Sequence, residues 1–416
     1  MPVPERRLLV LLHGHKVGRL QQRGAYTRFY FDDDYLQDPH RSILGLAFEE
    51  NPGGQKVERQ RLPSWFSNLL PEERLRRWIA AQRGVPLHRE VDLLLEVGRD
   101  LSGAVQVIDD EEAAGNVQWP DGSIRRTRTR GKRSPDELSV QGLRFSLAGV
   151  TMKFSMVRVG ERLTLPAVDE LGDWIVKLPD ASFPGVPQNE FAMMSLAKRV
   201  GLDVPEILMR HRDELPEIPD PLWANGEPWA YSVRRFDRDE SRVPIHIEDL
   251  AQVVGVYPED KYDSNFETVA ALMYRRSDTD SLREFIRRFV FNVAIGNSDA
   301  HLKNWSFLYP NGRSVRISPV YDLVATGPYG FVGLGMPFKG GSSPDSLNPD
   351  NLAWLARRLN SKVDLVEVAV DTVKRIVQEW PAVKEDIGNR RQLCGGVESS
   401  IERVKKSFRL MSAPPA

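Results

Sequence analysis

The chain has 416 residues, 41% of them hydrophobic and 28% charged, with a formal net charge of -1. These values describe a soluble globular protein too long for one ordinary core, and they leave no global field that would favour nucleic acid, so any such role must rest on a local patch. A single cysteine, Cys394, excludes an internal disulfide and a cysteine-based zinc site.

Leu8–Leu12 is an apolar run too short for a signal peptide or a membrane span. It is read as a buried strand, and with the lone cysteine it points to a reducing cytoplasm and no membrane partner. His13 to Gly18 follows as a hairpin turning on glycine, and Ala25 to Phe31 alternates like a further strand. From Pro63 the period changes. Trp65, Leu69, Leu70, Leu75, Trp78 and Ile79 fit amphipathic helices broken at Pro71, and another helix, Val91 to Val97, ends at Gly98. Residues Gly98 to Ala104 read as a glycine-capped helix end leading into a strand from Ala104 to Ile108, with a functional loop as the alternative.

The stretch 111–141 is a charged linker or long loop. It follows the acidic start at Asp109 and carries the basic run Arg125 to Arg133, either a solvated segment or a contact for phosphates or an acidic partner. Leu143 to Met156 reads as strand, turn and strand, an ordinary hairpin unless its backbone N–H groups and Lys153 cradle phosphates. Trp174 to Pro179 is a short strand with Lys177 inside an apolar run. Burying an ammonium alone is costly, so Lys177 must face solvent or an anion. Glu190, on a helix from Asn189 to Val200 that stops at Gly201, is the candidate partner. Trp229 to Arg238 is a strand running into a polar connector. Ile247 to Gln252 is expected to start a helix with acids in its first turn. A helix with a wide apolar face, Ser281 to Ile295, delivers the chain to Gly296.

The stretch from Ile295 to Asn304 carries the chemistry. Asp299 and Asn304 stand in D-x-x-x-x-N spacing, which suits an acid that accepts a hydroxyl proton and an amide that binds magnesium. Trp305–Tyr309 and Val315–Ile317 form a hairpin around Pro310-Asn311-Gly312, returning Asp322 beside Asn304 as a second oxygen ligand. His301 and Lys303 either stabilise charge on a transferring phosphoryl group or donate to the backbone. The spacing gains specificity from the helix before it, the hairpin and Asp322 after it, and Lys177 with Glu190 upstream.

Together with Phe66 to Pro71, Gly98 to Ala104, Ser146 to Lys153, Arg235 to Arg238, and Glu248, Asp249 and Gln252, these motifs make the chain resemble a HipA-family serine/threonine kinase, the toxin of a type II toxin–antitoxin module. The resemblance implies an α+β, two-lobed protein-kinase-like fold with a mixed N-lobe sheet over 142–238 and a mainly helical C-lobe over 239–411, preceded by an α+β subdomain over 1–110 that contacts the antitoxin. It implies Asp299 as proton acceptor and Asn304 and Asp322 as Mg²⁺ ligands. ATP contacts are expected at Ala148, Gly149, Val150, Thr151, Met152 and Lys153 in the loop, at Lys177 and Glu190, at the hinge Arg234, Arg235 and Phe236, at His301, Leu302, Lys303 and Asn304, and at Tyr321 and Asp322. Ser146 falls at the family's regulatory autophosphorylated serine. Thr151 and Met152 stand where such loops usually carry Gln and then Pro or Glu, and Arg234 where the hinge often has an acid.

The implied partners are a small helix-turn-helix antitoxin of HipB type, operator DNA mainly through it, and a protein substrate resembling an aminoacyl-tRNA synthetase. A second reading is a kinase-fold subunit whose main role is to bind that DNA-binding antitoxin and co-repress transcription.

Overall fold

The computed structural model describes residues 5–52, 57–110, 152–167, 170–387 and 390–410. The charged stretch 111–141 lies outside the described residues, as do Ser146, Ala148, Gly149, Val150 and Thr151.

The predicted first hairpin forms as β1 (Glu5–Leu12) and β2 (His15–Arg23). Its turn places His13 at φ 51° and Gly14 at φ 76°, the positive values that a two-residue turn matching the strand twist requires. β3 (Tyr26–Phe31), β4 (Val57–Arg59) and β5 (Val105–Asp109) complete a sheet ordered β4-β3-β2-β1-β5. Against it lie α1 (Asp33–Gln37), α2 (Leu46–Glu50), α3 (Ser64–Ser67), α4 (Glu73–Arg83) and α5 (Glu90–Val97), with Pro71 between α3 and α4 where the sequence predicts a break.

A second antiparallel sheet, ordered β7-β6-β8-β10-β9, is built from β6 (Lys153–Val159), β7 (Arg162–Thr164), β8 (Trp174–Lys177), β9 (Ile207–His211) and β10 (Trp229–Arg234). The three-residue β7 was not anticipated, being too short to show alternation. Strand β8 is internal, hydrogen-bonded to β6 and β10, so Lys177 is not a surface lysine on an edge. α6 (Val186–Val200) packs on this sheet and ends at Gly201 in the left-handed conformation, φ 91°. One apolar core, from Leu8 and Phe66 to Phe154 and Trp174, runs continuously between the two sheets.

The region expected to open a helix at Ile247 does not do so. His246–Asp249 is a strand, β11, and only then does α7 (Leu250–Val254) begin, capped by Asp249 and Gln252, each accepting from the other's backbone N–H. β11 pairs with β12 (Ser306–Tyr309), which pairs with β13 (Arg316–Ile317). The physical reason is pairing. An acid in a helical first turn reads as dipole compensation, yet Glu248 is fully buried on β11, where its carboxyl accepts from Leu46 N, Trp65 Nε1 and the Tyr309 hydroxyl.

The helical remainder comprises α8 (Phe266–Met273), α9 (Thr279–Ile295), α10 (Pro349–Arg358), α11 (Leu365–Ile387) and α12 (Arg391–Ser407). α9 is capped by Asp278, whose side chain accepts from Asp280 N and Ser281 N, and ends at Gly296 with φ 68°. Its apolar face meets Phe266, Trp305 and Phe338 in a cluster of aromatic rings. Among the described residues no helix is long and apolar enough to cross a membrane.

A buried network of four charges ties the first sheet's loop to the second sheet's connector. Asp100 Oδ1 accepts from Arg235 Nη1 and Arg238 Nη2, both at 2.8 Å. Asp237 Oδ2 accepts from Arg235 Nη2 at 2.8 Å, Arg238 Nη1 at 3.0 Å and Gly103 N at 2.7 Å. The loop 98–104 thus anchors the connector, and its Ser102 also lines the cavity described below. Removing one partner from such a pair strands a buried charge, at a cost of about 3–5 kcal/mol. Asp100→Ala is therefore expected to lower the thermal unfolding midpoint markedly, read by circular dichroism or calorimetry.

Burial pushes Glu248 from an ordinary 4.5 up to about 7. Between those values the unfolded chain releases a proton that the folded chain keeps, so this residue's contribution to stability falls as pH rises across that window and is level above it. Urea titrations at pH 5 and pH 8 should show Glu248→Gln losing less stability between the two than the unmodified chain.

Candidate functional site

Lys177 is the electrostatic centre of the cleft between the second sheet and the helices. Its Nζ donates to Glu190 Oε1 at 2.6 Å and to Asp322 Oδ1 at 2.5 Å. Burial opposes its charge, yet Asp322 and Glu190 together push its ammonium above its ordinary value. Asp322, likewise opposed by burial, is held well below the usual carboxylate range by Lys177 and Lys153. Asp322 sits at φ 60°, a conformation costly for a residue with a side chain and kept where the surroundings over-determine it.

Lys153 on β6 is directly opposite Lys177 on β8 in the ladder. Burial, with Lys177 adding, brings Lys153 down to about 8. Like charges facing each other across two strands repel, and an anion bound over that face would relieve them.

Asp299 follows the cap of α9, its backbone N–H donating to Asn297 Oδ1 at 3.0 Å. Its carboxylate is half-exposed and accepts from the Tyr262 hydroxyl. Burial raises its proton affinity while the Tyr262 hydrogen bond opposes the rise. His301 lies edge-on to Tyr262, with Nε2 4.0 Å from Asp299 Oδ1. Burial, with nearby Lys261 adding, lowers it to about 3, so the imidazole is neutral at ordinary pH.

Asn304 Nδ2 lies 3.3 Å from Asp322 Oδ2, as the hairpin reading requires. Asn304 Oδ1 is buried without a hydrogen-bond partner among the described residues. An orphaned amide oxygen beside an ionised carboxylate fits a hard divalent cation such as Mg²⁺, whose remaining positions water and phosphate oxygens would fill.

One cavity of about 670 Å³ is lined by Asp299, His301, Lys303, Tyr321, Asp322, Lys153, Lys177, Glu190, Arg234, Arg235 and Phe236. Several predicted residues take other roles. The guanidinium of Arg235 is fully buried in the four-charge network, and its backbone N–H donates to Asp173 O at 2.8 Å. Met152 and Leu302 put their side chains into the two apolar cores. The Lys303 ammonium donates to Asn68 O at 3.0 Å and pairs with Glu72 Oε1 at 2.7 Å, so the backbone-donor alternative describes it. The Tyr321 hydroxyl donates to Lys303 O at 2.8 Å, and its ring lies 5.6 Å from Phe236. Lys261, Tyr262 and Glu72 also line the cavity and were not predicted as site residues, because no motif spacing marks them.

Residues 8–108 match the family described as HipA N-terminal domain, and residues 145–380 the one described as HipA-like C-terminal domain. The chain belongs to the HipA family. It is 39% identical over 95% of its length to the putative kinase Y4dM of Sinorhizobium fredii, covering 96% of that protein. It is 27% identical to the serine/threonine-protein kinase toxin HipA of Shewanella oneidensis over 63% of this chain and 62% of that one. Among solved structures, the Shewanella oneidensis complex of HipA, HipB and operator DNA contains a chain that superposes with a TM-score of 0.72 at 21% identity, spanning 98% of this chain and all of that one. The HipA architecture, two-lobed and kinase-like, is thus the fold of this chain.

Asp322→Asn removes an ionised carboxylate and one partner of Lys177. If the cleft takes MgATP, its binding by calorimetry is expected to weaken at least about tenfold in this variant, since one charge-assisted contact is lost.

Proposed function

We propose that this HipA-family chain is an ATP-dependent serine/threonine protein kinase that acts as the growth-inhibiting toxin of a HipBA-like toxin–antitoxin module. The observation that carries the reading is the convergence of Asp299 and Asp322 with the Lys177–Glu190 pair on one cavity, with Asn304 beside Asp322 at 3.3 Å. Relatives named as kinases, one of them a toxin, support it.

In this reading Asp299 accepts the proton of the substrate hydroxyl as its oxygen bonds to the γ-phosphorus of ATP and the bond to the β-phosphate oxygen breaks. A carboxylate with raised proton affinity suits that task. His301, held neutral, adds no positive charge beside Asp299. Lys177, fixed by Glu190, is the cation that phosphate oxygens would share with Asp322. Mg²⁺, held by Asn304 Oδ1 and Asp322, would supply neutralisation of phosphate charge.

The acceptor is a protein hydroxyl, with an aminoacyl-tRNA synthetase as the substrate class and Ser146 as the autophosphorylation site. A dianion in a phosphate-binding turn would repel the nucleotide and switch the enzyme off. The proposed partner is a HipB-type antitoxin, through which the chain would reach operator DNA, as the solved HipA complex contains both.

Asp299→Ala should lower phosphoryl transfer from radiolabelled ATP by about 10²- to 10⁴-fold, the usual contribution of a positioned base, and abolish growth arrest on induction. Transfer at the unmodified rate would overturn the assignment.

A further inference from the structure

Glu72 stands at the start of α4, on the N-terminal side of the molecule, yet its carboxylate reaches the wall of the catalytic cavity. There it holds two ammonium groups, Lys303 Nζ at 2.7 Å on Oε1 and Lys261 Nζ at 3.0 Å on Oε2. All three side chains are close to fully buried, with 11%, 5% and 10% of their surfaces exposed for Glu72, Lys303 and Lys261. Each lysine adjoins a residue of the chemistry. Lys303 precedes Asn304, the candidate cation ligand, and Lys261 precedes Tyr262, whose hydroxyl donates to Asp299. The two lysine segments also meet directly, Leu302 N donating to Lys261 O at 3.1 Å.

The anchor is itself held. Asn68 O accepts from Lys303 at 3.0 Å, and Asn68 Nδ2 donates to Ser64 O at 2.9 Å and to Val256 O at 2.8 Å. Gln252 Nε2 donates to Trp65 O at 3.1 Å. Two lysines released from Glu72 would face the cavity's other carboxylates, among them Asp249, whose Oδ2 already lies 3.9 Å from Lys303.

We infer that Glu72 is a positioning residue for the catalytic loop: it sets Asn304 through Lys303 and Asp299 through Lys261 and Tyr262, which makes the N-terminal region part of the catalytic apparatus. The inference rests on the kinase reading for its rate effect and on geometry alone for its structural effect. A carboxylate that merely joined two parts of the protein would alter how much protein folds, without altering what each folded molecule does.

Glu72→Gln keeps the shape and removes the charge. The expected result is a kcat lower by about tenfold to a hundredfold, as for an ångström-scale misplacement, with an affinity for MgATP that is unchanged or tighter because a negative charge has left the cavity wall. Glu72→Asp should recover part of the rate. The double variant E72Q/K303M removes the Glu72–Lys303 pair while leaving Lys261 in place, and its loss should be smaller than the product of the two single losses, since the residues act as one unit. Hydrogen exchange over residues 299–305 reads the same contact without turnover and should be faster in Glu72→Gln.

Unchanged exchange in that segment overturns the inference. So does a kcat per folded molecule equal to that of the unmodified protein, or multiplicative effects in the double variant. Failure of the kinase reading would show in the unmodified chain, as the absence of Asp299-dependent transfer, and the exchange measurement would still decide the role of Glu72.

Discussion

Four charges sealed from water, Asp100 and Asp237 with Arg235 and Arg238, decide how the parts of this protein sit together. Such groups are costly to bury, and the cost is offset when opposed charges meet and hydrogen-bond in one arrangement. Here that arrangement needs the loop after α5 and the connector after β10 at the same place. Once they meet, the apolar core runs on between both sheets, and α3 with the start of α4 is carried to the cleft. The contact of Glu72 with Lys261 and Lys303 is a consequence of this docking.

The cleft shows the same physics used for a different end. Lys177 is buried between two carboxylates, and Lys153 faces it across the ladder, so the local charges are balanced without being saturated. Asp322 is pinned in a left-handed conformation next to an amide oxygen that has no hydrogen-bond partner among the described residues. Packing alone gives no reason to retain these features. The proposed binding of a polyanion with a hard cation would account for them together.

Much of this was legible from local pattern. An apolar run and a glycine turn marked the first hairpin and alternation marked β3, terminal glycines delimited α6 and α9, and the lysine inside an apolar run demanded a partner that proved to be Glu190. The resemblance of the motifs pointed to the same fold that the comparisons establish. Where the reading missed, a contact distant in sequence had overridden a local preference. Glu248 looks like a dipole-compensating acid until β12 pairs with its strand and Tyr309 and Trp65 enclose it. Arg235 looks like a hinge residue until Asp100, 135 positions earlier, claims its guanidinium. Met152 and Leu302 belong to the predicted site by position and to the cores by side chain.

The sequence by itself determined the chemistry available: which acid, which amide and which lysine, at spacings that a helix end and a hairpin convert into proximity. Those relations span a few tens of residues, and backbone geometry with side-chain period is enough to specify them. Only the tertiary structure decided which charges are shared and which are spent. It gave Lys177 to both Glu190 and Asp322, Arg235 to the buried network, and Lys261 and Lys303 to Glu72 about two hundred residues before them. Burial sets the strength of each of these pairings, and burial is a property of the assembled core, which no stretch of chain carries alone.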